Sequence, residues 1–127
     1  METSHPIELL INQADQAINN EDFDTLIDIY AHDALLVIKP GMNAIGKEQI
    51  RKAFEAIAAH FEHTLEVRQT GMSILETGNT ALVLAKTLVC AKGIPTMERN
   101  ATYVFTKDAN NIWKCSIDNS YGHDLIQ

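Results

Sequence analysis

The 127-residue chain predicts an α+β domain in which three N-terminal helices pack on one face of a strongly curved, mostly antiparallel sheet. Three observations carry that reading. Apolar residues recur at steps of three and four as far as Phe61, whereas beyond His63 they fall in long runs rich in Thr, Val, Leu and Ile. Short turn signals of hairpin length separate those runs. Gly71 interrupts the first of them, the mark of a bulge that bends a long strand and curves its sheet.

Taken in order, Ile7, Leu10, Ile11, Ala14, Ala17 and Ile18 form one apolar stripe, predicting a helix that ends at Asn19 and Asn20. Asp22 is an acceptable N-cap for a second helix carrying Phe23, Leu26, Ile27 and Tyr30. Ala34 to Lys39 reads as a short apolar strand, stopped by Pro40 and Gly41. A third helix follows Gly46, with Ile50, Ala53, Phe54, Ile57, Ala58 and Phe61 on one face. Four strands follow at 64–76, 80–92, 96–107 and 111–121, divided by turns at 77–79, 93–95 and 108–111. Three successive hairpins make an antiparallel meander. No linker or internal repeat is visible, so residues 1–127 read as a single domain.

Composition narrows the partners. With ten Lys and Arg against seventeen Asp and Glu, the formal charge is −7, a field that repels phosphate polymers and anionic lipid. Neither nucleic acid nor a membrane is expected as a partner. The N-terminus METSHPIELL lacks a basic segment followed by an apolar run, and no stretch nears the roughly 18 apolar residues of a membrane span. A soluble, cytoplasmic protein is the expectation. Cys90 and Cys115 are too few and too far apart for a disulfide framework or a metal clip, and read as small core residues. The glycosylation sequon at Asn100 to Thr102 reads as chance without a secretory signal.

One stretch, GMNAIGK at 41–47, has the spacing of a phosphate-cradling loop. Such a loop also needs a hydroxyl after its lysine to hold magnesium, and a parallel βαβ sheet behind it. Here Glu48 follows Lys47, and the later strands form hairpins. The stretch therefore reads as a loop leading to a glycine-capped helix start, and no nucleotide cofactor is expected.

The order of a first helix, NNEDFDTL, IYAHDALLVIKPG, IGKEQIRKAF and a final strand WKCSIDN resembles the nuclear transport factor two-like superfamily. Within it the chain is most similar to the SnoaL-like, polyketide-cyclase-like group, over nearly its whole length. The resemblance implies a cone-shaped, cystatin-like domain whose helices and bent sheet enclose a hollow, and a homodimer formed through the outer sheet face. It does not choose a function, because isomerases, dehydratases, cyclases and pure binding proteins share the fold. Ketosteroid isomerase, one relative, uses an Asp base with a Tyr and a protonated Asp as oxyanion donors. Matching motifs puts that tyrosine at Ala14, the Asp base near Lys39 and the second Asp near Ala101. By that match all three polar groups are missing, and no catalytic residue is assigned.

Candidates for lining the hollow come from alternation, since strand residues two apart share a face. Arg99, Ala101, Tyr103 and Phe105 form one set; Trp113, Cys115, Ile117, Asn119 and Tyr121 form another. Each is apolar in the middle with polar tips towards an end, the usual build of a small-molecule pocket. Asn119, following Asp118 where many relatives carry Asp-His, is expected to orient a ligand without exchanging protons. Lys39 is a base or anion partner if it faces the hollow and an edge charge if it faces solvent. Tyr30, placed at the end of helix two, is a further candidate. No metal is expected: His60 and His63 read as helix-end residues, His5 and His123 lie at the termini, and no HxH or HExxH spacing exists.

Three functions stand on this reading. The first is a protein that binds a small organic molecule in a mostly apolar pocket. The second is a homodimeric interaction module whose pocket is filled. The third is an isomerase-, cyclase- or dehydratase-like enzyme that uses Asn119 or Lys39.

Overall fold

The computed structural model describes residues 5–126. Residues 1–4, on which the reading of the N-terminus partly rests, lie outside them. Helix α1 spans Pro6–Asn19; Pro6 suits the first turn, and the ring of His5 caps it by accepting the Ile7 N–H at 3.0 Å. Its buried stripe is Ile7, Ile11 and Ala17. The Asn19 side chain then takes both backbone groups of Val67, tying the helix end to the sheet edge. Helix α2, Phe23–Asp28, is capped as expected by Asp22, whose carboxylate accepts the Thr25 N–H and hydroxyl.

Tyr30 does not belong to that helix. It opens strand β1, Tyr30–Lys39, because the Ile29 carbonyl accepts the Cys115 N–H at 2.9 Å and draws the chain into the sheet. The second correction concerns GMNAIGK. Met42–Ile45 is strand β2, with Leu36 opposite Ala44 and Leu35 opposite Ile45. Its short pairing is invisible to periodicity, since four residues give two alternations. The Gly46 N–H is donated to the Ala34 carbonyl and the Ile45 N–H to Gln49 Oε1, so neither is free to hold a phosphate. Gly46, at φ +84, then starts helix α3, Lys47–His60, which buries Ile50, Ala53, Phe54 and Ala58.

The remaining strands are β3 Glu66–Thr77, β4 Thr80–Ala91, β5 Ile94–Lys107 and β6 Trp113–Asn119, followed by one 3₁₀ turn at Gly122–Leu125. They form the predicted meander, and β1 joins β6 in parallel, giving a six-stranded mixed sheet in the order β2-β1-β6-β5-β4-β3. The β3 register slips between Gln69 and Gly71, the bulge that Gly71 announces. A second slip lies opposite Val104 and Phe105, where Ser116 is extra on β6. The Ser116 and Thr106 hydroxyls bond across it at 2.5 Å.

The core lies between the helices and the concave face. Ala81, Val83, Ala85 and Thr87 alternate inward from β4; Ala101, Tyr103 and Phe105 do so from β5. Cys115 is buried as expected, whereas Cys90 is only half-buried, its Sγ 3.5 Å from the Thr96 hydroxyl. Among the described residues no helix is long and apolar enough to cross a membrane.

Candidate functional site

Helices α1 and α3 arch over the bent sheet and leave a hollow of about 490 Å³. A smaller recess of about 50 Å³ lies beneath α1, walled by Ile11, Ile29, Phe105 and Cys115 among others. Asp15, Ile18, Tyr103 and Asp118 border both spaces, so these four side chains stand at the throat between them. The rest of the main wall is largely aliphatic and aromatic, with Leu36, Phe54, Ile57 and Val89 among its members.

Asp118 is the centre of this site, and alternation counted from Trp113 misses it. The extra residue at Ser116 reverses the faces of everything after it: Ile117 turns to the outer surface at 42% exposure, and Asp118 turns inward. Its partner across the sheet is Tyr103, which puts the two Cβ atoms roughly 5 Å apart. Tyr30 donates its hydroxyl to Asp118 Oδ2 at 2.5 Å. Oδ1 accepts no hydrogen bond among the described residues. Since no buried side-chain polar atom there lacks a partner, Oδ1 opens on the hollow.

Burial sets the electrostatics. Asp118 faces the hollow and keeps part of its surface open, yet the protein atoms packed around its carboxyl desolvate it. Its pKa is pushed up to about 6, the Tyr30 hydroxyl opposing the rise. Asp15 is also pushed up to about 6 by burial, with the Gln69 amide opposing and the Asp118 charge adding a smaller upward push. The Tyr30 hydroxyl is held well above its usual range by burial and by the adjacent carboxylate, so it stays a donor. Burial raises Tyr103 and Cys115 in the same direction.

A second polar chain positions Tyr103. Gln69 Nε2 donates to Asp15 Oδ2 at 3.0 Å, and the Thr87 hydroxyl donates to Gln69 Oε1 at 3.0 Å. Thr87 Oγ1 lies 3.4 Å from the Tyr103 hydroxyl, a long contact for two oxygens. Because Thr87 gives its one proton to Gln69, the Tyr103 O–H is the donor in this long, weak contact, which it can exchange for a stronger acceptor in the hollow. The arrangement offers one open carboxylate oxygen and one hydroxyl donor from adjacent strands, inside an apolar wall.

The sequence candidates separate into three groups. Tyr103 stands at the throat, and Tyr30 and Phe105 wall the recess, Tyr30 reaching Asp118 from there. Lys39, Arg99 and Tyr121 line the mouth of the main hollow, the Arg99 guanidinium stacked 4.4 Å above the Tyr121 ring. Ala101, Trp113 and Asn119 border neither space. Ala101 is packed in the core; Trp113 lies against the His5 ring at 6.3 Å and below Lys107. Asn119 holds a turn: Oδ1 accepts the N–H groups of Tyr121 and Gly122, and Nδ2 donates to Thr102 Oγ1 and the Gly122 carbonyl. The same bulge that brings Asp118 in takes Asn119 out.

The positions matched to ketosteroid isomerase carry no carboxylate, and the carboxylates that border the hollow stand elsewhere. Asp15 follows Ala14, and Asp118 stands on a different strand from Ala101. Asp15 carries a readable signal, since it falls four residues after Ile11 and three before Ile18, inside the apolar stripe. Asp118 has none, because no residue type marks the Ser116 bulge. His60 also borders the mouth, while His63 pairs with Glu21 at 2.9 Å. Among the described residues, no group of three or more His, Cys, Asp or Glu is placed to hold a metal ion.

The sequence pattern of the SnoaL-like domain matches residues 7–116. The chain belongs to the SnoaL-like domain family. The match ends just before Asp118, so it covers the fold and stops short of the carboxylate. Solved structures agree on the architecture. A protein of unknown function with a cystatin-like fold from Nostoc punctiforme superposes with a TM-score of 0.78 at 18% identity, over 93% of this chain and 92% of its own. A candidate dehydratase of the nuclear transport factor two-like family from Streptomyces avermitilis gives 0.72 at 21%, over 90% and 92%. A candidate ketosteroid isomerase from Shewanella frigidimarina gives 0.78 at 13%, over 91% and 94%. Likeness at these identities establishes the fold of this SnoaL-like domain and leaves its chemistry to its own residues. No curated protein matches the sequence.

Proposed function

We propose that this SnoaL-like domain binds a small, mostly apolar carbonyl compound and moves a proton on its carbon skeleton, with Asp118 as the base. The observation that carries this reading is the open Oδ1 of a buried carboxylate at the throat of an apolar hollow. A carboxyl that titrates near 6 is about nine-tenths ionised at pH 7 and is a stronger base than an ordinary aspartate. Asp118 takes a proton from the carbon beside the carbonyl, and the C–H electron pair moves into an enolate. The Tyr103 hydroxyl donates to the enolate oxygen, while Tyr30 holds the other carboxylate oxygen in place. Return of the proton to a second carbon shifts a double bond; return to the first gives exchange alone. Two solved relatives described as a candidate dehydratase and a candidate ketosteroid isomerase support chemistry of this class.

The test is exchange of the α-hydrogens of cyclic ketones, beginning with 2-tetralone, followed by proton NMR in deuterium oxide. The chain accelerates exchange above the buffer rate, with a profile rising through about pH 6, and Asp118→Asn lowers the rate roughly 10²- to 10⁴-fold. Equal exchange by both proteins, or none by either across the ketones, removes the reading.

We further infer a homodimer through the outer sheet face, acting in the cytoplasm. Ile45, Leu35, Ile117, Val104, Leu82 and Leu75 are successive cross-strand partners, so one apolar row runs across all six strands. Four of the six are substantially exposed, and a second copy presents a matching row to cover them. The two free cysteines fit a reducing compartment.

A further inference from the structure

We infer that the molecule bound in the hollow is an organic acid, with its carboxylate held at the mouth between Lys39 and Arg99. This deepens the proposed proton-transfer reading and rests on it. The register brings the two cations together. Strands β1 and β5 flank β6, Leu36 pairing with Asp118 and Thr102 with Asn119 where β6 ends, and Lys39 and Arg99 each lie three residues beyond these pairs on the same side. The two residues flank the end of β6 across two strand spacings, about 10 Å of backbone that their long side chains can close over a carboxylate. The Tyr121 ring beneath the Arg99 guanidinium orients that end of the clamp.

Charge makes the clamp distinctive. The chain carries −7 overall, yet both cations border the hollow and, among the described residues, neither forms an ion pair. The acids of the hollow, Asp15 and Asp118, stand at its throat instead. The ligand therefore meets cations at the mouth and a base at the throat. Lys39 lies three residues beyond Leu36, the cross-strand partner of Asp118, about 10 Å along β1. Allowing for side-chain reach, the ligand's carboxylate and its reacting carbon are separated by roughly 6–10 Å of apolar skeleton.

The experiment compares two probes of the same shape, 2-naphthoate and 2-naphthamide, by isothermal titration against the wild-type chain and the Lys39→Met, Arg99→Met double variant. The wild type binds naphthoate at least tenfold more tightly than naphthamide. The double variant loses that preference while its naphthamide affinity stays unchanged, which also reports that the hollow is intact. Equal binding of the two probes, or a preference that survives the double substitution, overturns the acid and leaves the ketone-exchange reading standing. Failure of both probes to bind overturns the acid and the occupied hollow together.

Discussion

Replacing Asp118 with Asn removes an ionised group with an open oxygen from the throat, and its effect on stability follows from the burial of that group. The folded carboxyl titrates near 6, against 3.8 for the exposed group. Between those values the folded chain keeps a proton that the unfolded chain has already lost. The stability this contributes is complete below about pH 4 and disappears as pH rises through about 6. The gap is a little over two pH units, and each is equivalent to about 1.4 kcal/mol, so the ionised carboxylate costs the fold about 3 kcal/mol at pH 8. An amide of the same shape still accepts the Tyr30 hydroxyl and carries no charge at any pH. Asp118→Asn should therefore match the wild type at pH 4 and exceed it at pH 8. For a chain of this length that corresponds to roughly 10 °C in Tm. Thermal unfolding followed by circular dichroism at the two pH values measures it. A change in Tm that is the same at both pH values, or a variant less stable at pH 8, refutes the placement of this carboxyl. Coupled to the loss of exchange activity, a gain in stability is the pattern expected of a group kept for chemistry.

Three other outcomes follow from named contacts. Tyr30→Phe removes the donor on Asp118 Oδ2, so the exchange profile moves above pH 6 and stability at pH 8 falls by about 1–3 kcal/mol; an unmoved profile in the same NMR assay denies Tyr30 its positioning role. Gly122 sits at φ +55 with room for no side chain, since a Cβ there lies 2.0 Å from the Asn100 carbonyl oxygen. Gly122→Ala should lower stability in urea unfolding by roughly 2–4 kcal/mol, and a neutral result means that the turn after β6 shifts freely. Sedimentation velocity at micromolar concentration should find the wild type dimeric and the Leu82→Lys, Ile117→Lys double variant monomeric, because two charges in the middle of the apolar row cannot be buried unpaired; a monomeric wild type ends the dimer proposal.

How far the sequence carries depends on whether a feature is written in short-range chemistry. The three helices and four long strands are, because their periods and turn residues are local, as with the Asp22 cap and the Gly71 bulge. Strand β2 is too short to show a period, and Tyr30 is captured by β1 through a bond to distant Cys115 rather than by its neighbours. Asp15 stood in plain view as a charge within an apolar stripe.

The sequence by itself determined the α+β class, the meander, the curved sheet and the apolar character of the hollow, since each follows from periodicity, turn chemistry and composition. Only the tertiary structure decided which carboxylate faces that hollow. A single extra residue at Ser116 exchanges the two faces of the strand beyond it, sending Ile117 and Asn119 away from the hollow and Asp118 into it. Strand side chains alternate with a period of two, so a one-residue slip inverts the assignment completely, and the pairing with β5 that sets the slip is a long-range property.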